Sequence, residues 1–156
     1  MEVFRLAVKE YATLDGIGGL YCSGRWHHEG KHVVYTASSR SLSVLERFIH
    51  ESSMVVPSLV MLSIYIPDDL PQFSHAESTL PKGWDAVDDE QQSATQDLGD
   101  KFLSDNKYAY MKVPSAIVPH EYNYIINPRH PDSSRIKINE TLPYHYDERY
   151  KRFIKK

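Results

Sequence analysis

The spacing of apolar and polar positions changes several times along the chain, and each change predicts an element. Val3 to Val8 has the β-branched and aromatic content of a strand. It runs into Asp15-Gly16-Ile17-Gly18-Gly19, a glycine cluster that predicts a flexible turn. That cluster lacks a following Lys-Ser/Thr and opens no clear helix, so it does not read as a phosphate-cradling loop. His32-Val33-Val34-Tyr35-Thr36 predicts a second strand. After it, Ser38 to Ser43 offers several helix N-caps, and Leu42, Leu45 and Ile49 recur at helical spacing with Phe48 beside them. A strand feeding directly into an amphipathic helix is expected there.

Ser58 to Ile66 reads as a strand buried on at least one face and closed by Pro67-Asp68-Asp69. Residues 67–90 are rich in Pro, Asp and Ser around an isolated Trp84 and predict a long functional or covering loop. A short helix is expected from Glu90 to Ser104, with Gly99 counting against it. Tyr108 to Val113 alternates as a strand and stops at Pro114. Tyr124-Ile125-Ile126 is another short strand before Asn127-Pro128, and Ile136 to Ile138 opens a last one. No internal repeat interrupts this series. The pattern predicts a mixed α+β domain whose strands dominate its middle and C-terminal half.

Composition bounds that reading without changing it. At 156 residues, 41% hydrophobic and 25% charged, the chain suits one folded domain over residues 1–156 and not a disordered segment. The longest apolar stretch, Met54 to Ile66, contains Pro57 and falls short of the roughly 20 residues of a membrane span. The start shows no basic segment followed by an apolar core, and the lone Cys22 allows no intrachain disulfide, so a cytoplasmic setting is expected.

Net charge is −3, but it is segregated: −3 over residues 1–80, −5 over 81–105 and +5 over 106–156. Lys151, Arg152, Lys155 and Lys156 form a terminal basic cluster that reads as a solvated end, and direct binding of nucleic acid is not expected. Tyrosine is overused, with eleven copies, which suits half-buried strands first and ligand stacking second.

Two groups of residues bear on chemistry. His28-Glu29-Gly30-Lys31-His32 satisfies the H-E-x-x-H expression of zinc peptidases, but that chemistry needs a helix to bring both histidines to one metal. Gly30 sits in its centre and His32 begins a β-branched run, so no metal site is expected. The second group is Arg25 on a turn, Tyr35 in a strand and Glu46 on the following helix. A guanidinium suits a pyrophosphate, an aromatic ring a flat heterocycle, and a carboxylate an oxocarbenium-like sugar. Each also has a plain structural reading: Arg25 as a surface residue, Tyr35 as a core tyrosine, Glu46 as the partner of Ser43 in a capping box.

Gly24-Arg25-Trp26-His27-His28-Glu29-Gly30 and Val34-Tyr35-Thr36-Ala37-Ser38 resemble the first signature of the RES-domain family. Val113-Pro114-Ser115-Ala116-Ile117 followed by Asn123-Tyr124-Ile125-Ile126-Asn127-Pro128-Arg129-His130-Pro131 resembles its second. Gly99-Asp100-Lys101-Phe102-Leu103 is similar to the family's glycine-containing helix. Ser23 and His27 depart from the pattern, standing where another glycine and an asparagine are common.

The resemblance implies an ADP-ribosyltransferase-like split β-sheet core with flanking helices. It implies the toxin of a bacterial toxin-antitoxin pair, with NAD+ as substrate and no cofactor or metal. Arg25 and Arg5 would hold the pyrophosphate or ribose, Tyr35 would pack beside the nicotinamide, and Glu46 would serve the scissile ribose. Ser115 and Asn127 would complete the pocket, although Asn127 before Pro128 also reads as a turn residue. The expected partner is an Xre-like helix-turn-helix antitoxin, in a homodimer or larger complex, with the 67–90 loop as a candidate contact. Transfer of ADP-ribose to a specific protein is the alternative reaction, and a non-catalytic NAD-binding module the alternative class.

Overall fold

In a computed structural model of the chain, residues 1–51, 56–87 and 89–153 are described, without the side chains of 89–91 and 151. Met54 of the long apolar stretch, Asp88 of the long loop, and Lys155 and Lys156 of the basic terminus lie outside the described residues. No helix among the described residues is long and apolar enough to cross a membrane.

Among the described residues, seven strands and two α-helices follow in the order β1 (Glu2–Val8), β2 (Val34–Ala37), α1 (Arg40–Phe48), β3 (Leu59–Tyr65), β4 (Gln72–Ser74), α2 (Asp89–Asp105), β5 (Tyr110–Pro114), β6 (Tyr122–Ile126) and β7 (Lys137–Tyr144). The strands form one sheet in the order β4-β5-β6-β2-β1-β3-β7, antiparallel throughout except for the parallel pair β4-β5. The expected α+β class holds. The predicted glycine turn is tightened into a 3-10 helix at Ile17–Leu20, and the 67–90 loop contains β4 and a 3-10 turn at Glu77–Thr79.

The sheet has a seam. β1 runs in register with β3 from Glu2↔Tyr65 to Val8↔Leu59, whereas it meets β2 at Phe4↔Ala37. Beyond that pair the backbone N–H of Leu6 donates to Ser43 Oγ of α1 at 2.6 Å and not to a strand. Helix α1 thus serves as the hydrogen-bonding partner that β2 does not provide.

Strand alternation assigns each residue to a face. Phe4, Leu6, Leu59 and Met61 pack against Val44 of α1. In register with them across β2, β6 and β5 are Ala37, Tyr35, Asn123 and Ile125. Ile125, Met111 and Val113 bury against Phe102 of α2 together with Trp26 and Trp84. The opposite face is closed by Val3, Val34, Leu62, Ile64, Tyr124 and Ile126 with Leu70 and Ile136. Both helices therefore cover the face that presents Tyr35 and Asn123.

Helix α1 begins where Ser39, in extended backbone, accepts the Leu42 N–H at 3.1 Å. This corrects the capping-box reading of Ser43 and Glu46. Ser43 is buried within the helix, and Glu46 lies two turns in, free of any capping duty. Leu42 and Val44 are buried, while Leu45 and Ile49 point outward.

Candidate active site

Glu46 is the centre of the arrangement. Its Oε1 accepts a hydrogen bond from Ser115 Oγ at 3.1 Å and another from Asn123 Nδ2 at 2.6 Å. Ser115 is itself fixed, because its oxygen accepts the backbone N–H groups of Ile117 and Val118, both at 3.1 Å. With both lone pairs used, the hydroxyl proton must point to Glu46. Asn123 comes from β6 and was missed as a site residue in the sequence. The signal available was its place on the same strand face as the core residue Ile125, an amide where a side chain is buried.

Turning the Asn123 amide nitrogen toward Glu46 leaves its Oδ1 buried with no partner among the described residues. Such a group costs about 1–3 kcal/mol. The fold tolerates that cost at the point where a carboxylate is held by two donors on one oxygen, with Oε2 left for other partners. Stability sacrificed at one site for a fixed geometry is a mark of function.

Arg25 and Tyr35 lie within electrostatic reach of Glu46. Arg25 projects from the turn Gly24–His27, which is closed on itself by Gly24 N–H to His27 O at 3.0 Å. Its guanidinium donates through Nη1 to Trp84 O at 2.6 Å and through Nη2 to Ala86 O at 3.0 Å. Burial pulls its pKa below the ordinary value, with Asp85 and Glu46 pushing back, and it remains a cation. Two of its five N–H groups are spent on these carbonyls, which leaves three for an anion. Trp84 and Ala86 belong to the loop expected over residues 67–90, so that loop reaches the site through Arg25.

The Tyr35 hydroxyl supports the turn from below. It accepts the Trp26 N–H at 3.0 Å and lies 2.8 Å from His27 Nδ1. Burial pushes it well above the ordinary phenol value, so it stays protonated at neutral pH. With its hydroxyl occupied, the ring is what remains to meet a ligand. A side chain at position 24 would put its Cβ 2.7 Å from that hydroxyl, which is why glycine stands there.

Helix α2 grips the same turn from the side. Gln96 donates to Gly24 O at 3.0 Å, and Asp100 accepts from His28 N at 3.1 Å while its other oxygen lies 2.9 Å from His28 Nδ1. Between them, Gly99 lies so close to the Trp26 carbonyl that any Cβ would overlap it. The glycine that counted against this helix is the residue that lets it dock.

The remaining candidates sit apart from this cluster. Arg5 lies on the other face of β1, between Val3 and Ala7; its Nη1 donates to Thr13 O at 2.6 Å, and Asp15 and Arg47 are its charged neighbours. Asn127, at the far end of β6, donates to Leu103 O at 3.2 Å and Asn106 Oδ1 at 2.9 Å, and accepts Arg129 N–H at 3.0 Å. It fastens the end of α2 and turns the chain. Of the H-E-x-x-H histidines, His28 faces Asp100, while His32 faces Asp15 O and Arg129. No metal-binding group of three or more His, Cys, Asp or Glu occurs among the described residues.

Comparison with known proteins places the chain in a family. A family model described as the RES domain matches residues 2–147. The chain is 39% identical over 141 residues to "Toxin Res" of Pseudomonas putida, covering 87% of this chain and 93% of that protein. It is 36% identical over 143 residues to the "Prs ADP-ribosylating toxin" of a Sphingobium species, covering 90% and 88%. In fold it is similar to a chain of the Mycobacterium tuberculosis MbcT-MbcA toxin-antitoxin complex, at 14% identity, TM-score 0.74, covering 98% of this chain and 87% of that one.

Proposed function

The chain belongs to the RES-domain family, and from that premise we propose that it is the toxin of a toxin-antitoxin pair that consumes NAD+ by cleaving the nicotinamide-ribose bond. The observation that carries this reading is the doubly held Glu46 beside Arg25 and Tyr35.

Cleavage sends the electron pair of the C1′–N bond to nicotinamide, which leaves neutral, and positive charge builds on the ribose. Glu46, fixed through Oε1, offers Oε2 to the developing cation and to a ribose hydroxyl. Because Ser115 and Asn123 set its position beforehand, little reorganisation is needed as the charge forms. Arg25 holds the pyrophosphate with its unspent donors, and the Tyr35 ring lies against the nicotinamide. Arg5, which the family resemblance also assigns to the phosphates, lies on the other face of β1 and bonds Thr13 O, so the phosphates are given to Arg25 here, and Ser115 acts through Glu46. Asn127 contributes by holding α2, and through it the Arg25 turn. An acceptor then attacks C1′: water, losing a proton to solvent, gives ADP-ribose, and inorganic phosphate gives its phosphorylated counterpart. No metal or cofactor takes part in this scheme.

Incubation with NAD+, with and without phosphate, and chromatography of free nicotinamide tests the reading. Wild type is expected to release nicotinamide and Glu46→Gln to lose about 100-fold or more in rate. Absence of release, or equal rates in the two proteins, overturns it. The name of the Sphingobium relative favours a second reading, transfer of ADP-ribose to a protein side chain. Label from NAD+ concentrated in one protein band, without free ADP-ribose, would support it. Saturable NAD+ binding without turnover would point instead to a binding module. The proposed restraint is a cytoplasmic helix-turn-helix antitoxin that covers the site.

A further inference from the structure

We propose that His27 is a positioning residue whose neutral imidazole fixes the direction of the Tyr35 hydroxyl, and so holds the Arg25 turn in its binding geometry until acidification reverses that bond. The functional part of this inference rests on the NAD+ reading above; the tautomer and its titration do not.

His27 is 3% exposed, and both ring nitrogens are engaged. Nε2 lies 2.9 Å from the Cys22 carbonyl, with the Gly19 carbonyl also within bonding reach. Carbonyls only accept, so Nε2 carries the hydrogen. In the neutral ring Nδ1 is then an acceptor, and the group facing it at 2.8 Å is the Tyr35 hydroxyl. Tyr35 must donate to Nδ1, while its oxygen accepts the Trp26 N–H at 3.0 Å. The chain Trp26 N–H to Tyr35 O–H to His27 Nδ1, continued by His27 Nε2–H to Cys22 O, thus has one consistent direction. It ties β2 to the residues on both sides of Arg25.

Protonation breaks that direction. An imidazolium donates from both nitrogens, so Nδ1–H would point at Tyr35 Oη, and the phenol proton would lose its acceptor in a buried setting. The charged groups facing His27 do not cancel this. Asp100 of α2 favours the imidazolium and His28 opposes it, but burial outweighs both and pulls the His27 pKa below its ordinary value. The neutral arrangement is therefore in place at neutral pH and is lost as pH falls through that lowered value. His28 lies against Asp100 and Asp97 of α2, outside the Trp26–Tyr35–His27 chain.

The test uses His27→Asn, whose Oδ1 can replace Nδ1 as acceptor but cannot take up a proton, and His27→Phe, which removes the acceptor. Wild type is expected to show an acid limb in kcat/KM for NAD+ that lies chiefly in KM. His27→Asn should keep neutral-pH activity within about threefold and lose that limb. His27→Phe should raise KM about tenfold at every pH with a smaller change in kcat. In parallel, nitrogen-15 imidazole spectra of the wild-type protein should show the Nε2–H tautomer at neutral pH and a His27 titration below the ordinary histidine range. An Nδ1–H tautomer, or a His27→Asn profile with the wild-type limb intact, overturns the proposal. If His27→Phe does not fold, the asparagine variant and the spectra still decide. If wild type releases no nicotinamide, the NAD+ reading fails while the spectra continue to test the His27–Tyr35 bond.

Discussion

Removing Asn123 tests whether Glu46 acts as a pre-positioned carboxylate. In Asn123→Ala the 2.6 Å bond to Oε1 is lost, and Ser115 at 3.1 Å remains as the carboxylate's one donor of the two. A hydrogen bond to a charged group is worth about 1.5–3 kcal/mol, roughly a 10- to 100-fold effect if it is expressed in the rate. Nicotinamide release should therefore fall in kcat by that factor, with KM for NAD+ little changed, because Asn123 touches Glu46 and not the Arg25 turn. Loss of fold is an inadequate explanation for such a result, since the amide oxygen has no partner to lose; thermal unfolding measured by circular dichroism checks this. Asn123→Asp sharpens the test. Two carboxylates about 4 Å apart repel by about 4 kcal/mol at an effective dielectric constant of 20, so the pair retains a proton to higher pH than a lone carboxyl. Ser115 already donates to Glu46, so the retained proton belongs on the new carboxyl at position 123, which then donates as the amide did. Activity in this variant should be kept at lower pH and fall as pH rises and that donor is lost, whereas Asn123→Ala should show no such fall. An alanine variant within twofold of wild type, or an aspartate variant with the wild-type pH profile, would refute the reasoning.

Two further outcomes follow from the same geometry. Arg25→Lys exchanges a planar fork, which spans the Trp84 and Ala86 carbonyls, for a point charge; KM for NAD+ should rise about tenfold with kcat less affected, and steady-state kinetics with an unchanged KM would contradict the assigned role. Gly99→Ala forces α2 off the Trp26 carbonyl and should cost about 1–3 kcal/mol, visible as a lower urea midpoint with tryptophan fluorescence as the probe; an unchanged midpoint would mean the contact is not tight.

What the sequence made legible was set by local physics. β1, β3, β5 and β6 announce themselves through runs of buried β-branched and aromatic residues, and α1 through its caps. The start of α1 was harder to read because Ser38, Ser39, Ser41 and Ser43 all qualify as caps, and only the meeting of Leu6 with Ser43 commits the latter to another bond. Arg25, Tyr35 and Glu46 were accessible through residue chemistry and the signature pattern. Asn123 was not, because its value depends on pairing β6 with β2 and on laying α1 across both, contacts separated by 77 residues. Gly99 illustrates the same limit in reverse: propensity treats it as a defect in a helix, and only the approach of Trp26 gives it a purpose. The H-E-x-x-H string has a glycine at its centre and a strand-like flank, and its two histidines face the Asp100 carboxylate and the Asp15 carbonyl.

The distance along the chain between Glu46 and its two donors also has a consequence in time. Ser115 and Asn123 are made 69 and 77 residues after Glu46, which at ~5–20 residues per second is roughly 4 to 15 seconds of translation. Until Ser115 is made, a nascent chain carries Arg25, Tyr35 and Glu46 but neither of the groups that aim the carboxylate. Premature termination before Ser115 yields a fragment without the assembled site, so the held geometry of Glu46 exists only in chains extended past residue 123.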